Sequence, residues 1–168
     1  MDLDKLNELP VSDAEAELLK YCGSKRWAQA MAAARPFADA AELFDNAERA
    51  FSILTEEDWL EAFRAHPKIG EKHAAKPQSE QEKRWSAQEQ SSMQAAATDK
   101  MAEFAKRNRE YEARFGFIFI VCASGKSSEE MLAILNRRMM NDRQTELRVA
   151  AAEQQKISRL RLEKLLNS

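Results

Sequence analysis

Along most of the chain, apolar positions recur every three to four residues, and the recurrences are bounded by residues that start and stop helices. Ser12-Asp13-Ala14-Glu15 has the form of a capping box and predicts a first helix from about Asp13 to Cys22. Ser24 is placed to cap a second helix through Trp27 and Met31, and Pro36 stops it after Ala34. A third helix runs from about Asp39 to Ser52, with Leu43, Ala47 and Phe51 on one side. Thr55-Glu56-Glu57-Asp58 opens a short helix carrying Trp59, Leu60 and Phe63. It ends near Ala65, because Pro67 disfavours α geometry at His66.

From Lys68 to Arg84 the pattern is polar, interrupted by Gly70 and Pro77, and reads as a long loop. Ser86-Ala87-Gln88-Glu89 is a further capping box, opening the longest expected helix. That helix reaches about Arg114 and Gly116 stops it. Phe117 to Cys122 is a continuous apolar run, too short for a helix of its own, and reads as a buried extended segment. Ser127 and Ser128 precede a helix with Met131, Leu132, Leu135 and Met139. The last helix starts near Asp142 and carries Leu147, Ala150, Ala151, Ile157, Leu160 and Leu162. The pattern therefore predicts an all-α chain, a single-domain bundle of about seven to eight mostly antiparallel helices over 1–168.

Composition strengthens this reading. The 168 residues include only 4 Gly and 4 Pro, less than half the roughly 12% usual in soluble proteins. A sandwich or barrel, which needs a turn every 8–12 residues or so, is disfavoured. Net charge is −2, so no positive field is available to hold a phosphate backbone, and nucleic acid is not expected as a partner. No window reaches the ~18–20 apolar residues of a membrane span, and the N-terminus lacks the pattern of a signal peptide. Cys22 and Cys122 sit in unlike contexts with no CxxC spacing, which favours reduced thiols and a cytoplasmic protein.

Candidate chemistry is limited by the 2 histidines. His66 and His73 are seven positions apart with Pro67 and Gly70 between them, which is not the i, i+4 pairing of a helical metal site. His66 lies where a helix ends and a long loop begins. A neutral imidazole there could act as general acid or base, or simply interact with the helix dipole and its last carbonyls. Glu89 could be functional or only the third residue of its capping box. Gln90 has no evident structural duty. Arg159 and Arg161 could be solvated helix charges, or one could be held among Ile157, Leu160 and Leu162 and present its fork to a carboxylate.

Four segments combine in order: His66-Pro67-Lys68-Ile69-Gly70, Trp85 to Gln90, Phe115 to Ile120, and Lys156 to Leu162. As HPxIG, WSxxEQ, FGFxF and KIxxLRL, they resemble the 2-oxo-4-hydroxy-4-carboxy-5-ureidoimidazoline (OHCU) decarboxylases of urate breakdown, over nearly the whole chain. The resemblance implies an all-helical homodimer that converts OHCU to (S)-allantoin and carbon dioxide without a cofactor or metal. It implies that His66 is the proton donor and that Glu89 and Arg161 are the other catalytic groups. Pro67, the stretch Ser86, Ala87, Gln88, Glu89 and Gln90, and backbone groups of Phe119, Ile120, Val121, Cys122 and Ala123 would bind substrate. Arg159 is the second candidate arginine. Ile118 stands where many members carry Pro, and the terminal Leu166-Asn167-Ser168 is not a peroxisomal SKL address.

Two other classes compete. A helical interaction module would use the charges from Glu80 to Arg84 and the methionines near Met139 and Met140. A metal-dependent hydrolase would use His66 and His73.

Overall fold

The computed structural model describes residues 1–67 and 98–168. The expected loop from Lys68, His73, the Ser86 capping box and the start of the long helix lie outside the described residues. Among those described, eight helices and no strand are found: α1 (Leu3–Glu8), α2 (Val11–Leu18), α3 (Lys25–Ala33), α4 (Ala40–Ser52), α5 (Glu56–Arg64), α6 (Thr98–Phe115), α7 (Ser128–Arg138) and α8 (Arg143–Leu166). The all-α expectation holds. No described helix is long and apolar enough to cross a membrane.

Most helix starts follow the caps written in the sequence. The Ser24 hydroxyl accepts from the Trp27 amide at 3.2 Å, and Asp39 accepts from Glu42 at 2.9 Å. Thr55 and Asp58 form a complete capping box, Ser127 accepts from Glu130 at 3.1 Å, and Asp142 accepts from Thr145 at 2.7 Å. Each such cap is worth roughly 1 kcal/mol to its helix.

The N-terminus departs from expectation. A first helix, α1, is capped by Asp2, whose side chain accepts from the Lys5 amide at 2.9 Å. The Ser12 capping box does not form: α2 begins at Val11 with Pro10 at the cap position and no side-chain cap bond, and it ends at Leu18 rather than Cys22. Proline explains the early start, because its fixed φ suits helix entry and it has no amide needing a partner.

The chain divides into two compact units. The first comprises Met1–Ala65 and Gln154–Ser168. In it α1 packs on α2, α2 on α3, and α3 on α4, around buried Leu6, Leu18, Tyr21, Trp27, Met31, Leu43, Phe63 and Leu162. Arg35 closes the end of α1: its Nη1 donates to the carbonyls of Leu6 at 2.6 Å and Leu9 at 2.8 Å. The side-chain amide of Asn7 pairs in both directions with the backbone of Phe37, each bond 2.9 Å.

The second unit comprises His66–Glu153. Here α6 packs on α7 around an aromatic core. The Tyr111 ring lies 4.7 Å from Phe115, 5.9 Å from Phe117 and 5.3 Å from Phe119. Gly116 ends α6 with φ +84°, donating to the Glu112 carbonyl at 2.8 Å. That left-handed conformation is cheap for glycine and strained for other residues.

Candidate functional site

His66 is delivered by the end of α5. The acidic first turn of that helix suits its dipole, and Ala65 forms the C-cap, donating to the Ala62 carbonyl at 3.2 Å. His66 and Pro67 follow immediately and are half-buried. The proline keeps the backbone at His66 out of helix, so α5 stops just before it.

The apolar run after Gly116 is buried and irregular, forming neither helix nor strand. Phe119, Ile120, Val121, Cys122 and Ala123 are all buried. A segment without a ladder must satisfy its backbone groups in another way, and charged side chains serve here. Arg138 Nη1 donates to the Ile120 carbonyl at 2.7 Å, and the Cys122 amide donates to Glu153 Oε1 at 3.1 Å. Lys126 Nζ donates to the Cys122 carbonyl at 2.8 Å.

Arg138 is itself fixed. Its Nε donates to Glu146 Oε1 at 2.6 Å, and its guanidinium lies 4.5 Å from the centroid of the Phe119 ring. Tyr111 donates its hydroxyl to the same carboxylate oxygen, while Asn141 Nδ2 donates to the other at 3.0 Å. Burial pushes the Tyr111 phenol far above its ordinary range, so it remains a donor at any working pH. The side chains of Arg138 and Glu146 are 7% and 0% exposed. The sequence carries no signal for this pair. Arg138 in a last turn and Glu146 in a first turn read as ordinary dipole-compensating charges, and no local signal separates a buried pair from a solvated one.

The two arginines of α8 have different surroundings, all within the first unit. Arg161 is buried, and its Nη1 donates to the Lys20 carbonyl at 3.2 Å. Arg159 is half-exposed, with its Nε 3.3 Å from Glu163 and its guanidinium stacked 4.2 Å over Phe44. Arg161 is thus the more buried of the two, and Arg159 has its partners nearer the surface. Ser86, Ala87, Gln88, Glu89 and Gln90 lie outside the described residues. Among those described, no group of three or more His, Cys, Asp or Glu side chains is placed to hold a metal ion.

A family profile described as OHCU decarboxylase matches residues 7–163. The uric acid degradation bifunctional protein TTL of Arabidopsis thaliana is 36% identical over 153 residues, covering 91% of this chain and 47% of that protein. This chain thus spans about half the length of that plant relative. The 2-oxo-4-hydroxy-4-carboxy-5-ureidoimidazoline decarboxylase of Haloferax volcanii is 28% identical, covering 99% of this chain and 95% of that protein. A crystal structure of OHCU decarboxylase in the presence of (S)-allantoin matches with a TM-score of 0.78 at 34% identity, over 90% of this chain and 98% of that one. At 19% identity, an (S)-allantoin synthase structure shares the fold, with a TM-score of 0.70 over 100% of this chain and 55% of that one.

Proposed function

We propose that this chain, which belongs to the OHCU decarboxylase family, catalyses the conversion of OHCU to (S)-allantoin and carbon dioxide in urate degradation. The observation that carries the reading is the family match over residues 7–163, which encloses all four motif segments.

The substrate's own structure makes the chemistry accessible to a protein of this composition. Carbon 4 bears both the carboxylate and a hydroxyl, and carbon 5 bears the ureido group and a ring C=N bond. When the bond to the carboxylate breaks, carbon dioxide leaves and the bonding pair forms a C4=C5 double bond as the C=N electrons move to nitrogen. The ring therefore serves as the electron sink. The resulting enediol-like species becomes allantoin when the ring nitrogen takes up a proton, the hydroxyl at carbon 4 releases its own as it turns to carbonyl, and a proton reaches carbon 5, one proton being consumed overall. Delivery to one face fixes the S configuration.

In this reading His66 delivers that proton, and Glu89 orients either His66 or the substrate hydroxyl. Arg161 binds a carboxylate or urea oxygen. Pro67, residues Ser86 to Gln90 and the backbone of Phe119 to Ala123 hold the ring and ureido group. The resemblance also supports a homodimer, and the two buried free cysteines are consistent with a reducing cytoplasm.

Purified protein given freshly generated OHCU is expected to accelerate its loss and to produce optically active (S)-allantoin. Following optical rotation separates this from spontaneous decay. Absence of turnover would sink the reading and favour a helical interaction module. The arginines supply a finer test. Arg161→Lys keeps the charge but loses the fork, and kcat/KM is expected to fall about 10- to 100-fold, in line with the ~1.5–3 kcal/mol of a hydrogen bond to a charged group. Arg159→Ala is expected to stay within about twofold of wild type. The reverse ranking would assign the role to Arg159.

A further inference from the structure

Between α2 and α3 the chain makes a tight, mostly buried passage, Lys20 to Ser24. Lys20 and Tyr21 donate to the carbonyls of Glu17 at 3.1 Å and Leu18 at 3.0 Å, and Tyr21, Cys22 and Ser24 are buried. Gly23 sits in the middle. Its φ is not in the left-handed region, which among the described glycines holds only Gly116 and Gly125. Backbone freedom therefore does not explain a glycine here. Space does: a Cβ at Gly23 would lie 2.4 Å from the Ala65 Cβ, and 3.6 Å from both the Cα and the carbonyl oxygen of Ala62.

Ala65 is the C-cap of α5 and the residue before His66. A Cβ has no rotamer to retreat into, so only backbone movement could relieve the overlap. Restoring an ordinary carbon–carbon contact of ~3.5 Å requires a displacement of about 1 Å. The passage and the first residue of α3 after it have two further attachments. The Lys25 amide donates to Glu61 Oε1 of α5 at 2.8 Å. The Lys20 carbonyl receives Arg161 Nη1 at 3.2 Å. One short stretch of chain thus seats both the end of α5 and the Arg161 fork.

We propose that Gly23 is a positioning residue for the decarboxylation, its missing side chain letting Ala65 seat against the turn that anchors Arg161 and so fixing where His66 is presented. The inference rests on the roles proposed above for His66 and Arg161. It gives the turn a catalytic consequence that requires no contact between its residues and substrate. A displacement of about 1 Å at a reacting group can cost on the order of 10²-fold in rate.

The test is a compensating pair on the full chain, with kcat and KM measured on freshly generated OHCU and folding checked by circular dichroism. Gly23→Ala is expected to lower kcat about 10- to 100-fold while KM changes less than about threefold. Gly23→Ala/Ala65→Gly removes the methyl that the new one meets, and is expected to recover kcat to within about threefold of wild type. A merely structural role would lower stability and the folded fraction, without a loss of kcat at nearly constant KM in the protein that remains folded. Wild-type kcat in Gly23→Ala would overturn the proposal, as would a double variant as impaired as the single one. Should Gly23→Ala alone fail to fold, the double variant decides: folded and active supports the proposal, folded and inactive or unfolded overturns it. Turnover by the wild type is measured first, so an inactive wild type fails the decarboxylase reading itself. An active wild type with an unaffected Gly23→Ala fails this inference alone.

Discussion

His66→Ala is expected to lower the stereospecific formation of (S)-allantoin by about 10²–10⁴-fold, the contribution ordinarily made by a positioned general acid. Substrate loss should fall less than this, because OHCU also decays unaided, so the optical activity of the product is the sharper measurement. The helix that carries His66 should persist. Its stop is made by backbone, with the Ala65 amide on the Ala62 carbonyl, and its start by the Thr55–Asp58 capping box. Neither involves the imidazole. The far-ultraviolet circular dichroism spectrum is therefore expected to match wild type while activity is lost. A variant that still makes (S)-allantoin at close to the wild-type rate would remove His66 from the mechanism and return it to a helix-terminal role.

Glu146→Ala should produce the largest loss of stability. Removing the carboxylate leaves the Arg138 guanidinium buried without its ion-pair partner, and takes away the acceptor used by Tyr111 and Asn141. Breaking a buried pair from one side ordinarily costs about 3–5 kcal/mol, a large part of a typical domain's total. Urea titration would read it as a lower midpoint. Arg138→Met/Glu146→Leu separates stability from positioning. With both charges replaced by apolar groups of similar size, stability is expected to return much of the way. The Ile120 carbonyl would still lack its 2.7 Å donor, and activity is expected to stay low. Near-wild-type turnover by that double variant would show that the ion pair does not set the Phe119–Ala123 backbone for catalysis.

The parts of the fold legible in the sequence are those whose cause lies within about four residues. Ser24, Asp39, Thr55 and Ser127 cap helices because the amide each accepts from is three positions ahead. Gly116 ends α6 because its positive φ is a property of one residue. Where local signals compete, the strongest one sets the helix start. Ser12 and Glu15 made a plausible capping box, but Pro10 two positions earlier had already started the helix. The short α1 leaves no sequence signal, because six residues offer too little periodicity.

The candidate site divides in the same way. His66 at a helix end, and the buried run after Gly116, were both visible from proline placement and apolar continuity. The preference for Arg161 over Arg159 came from the motif alone; their different burial did not, since two arginines flanked by leucines look alike until one is seen buried on the Lys20 carbonyl and the other stacked on Phe44.

The sequence by itself determined the helical class, most of the helix starts and the family to which the motifs belong. Helix capping and amphipathic spacing are local energies, and a motif is read position by position. Only the tertiary structure decided that Arg138 and Glu146 form a buried pair behind Ile120, that Arg161 is buried on the Lys20 carbonyl while Arg159 stays half-exposed, and that Gly23 leaves room for Ala65. Each of these depends on which distant residue arrives at a given point. That is set by the packing of whole helices, where burial turns an ordinary charge or a missing methyl into a constraint on the backbone.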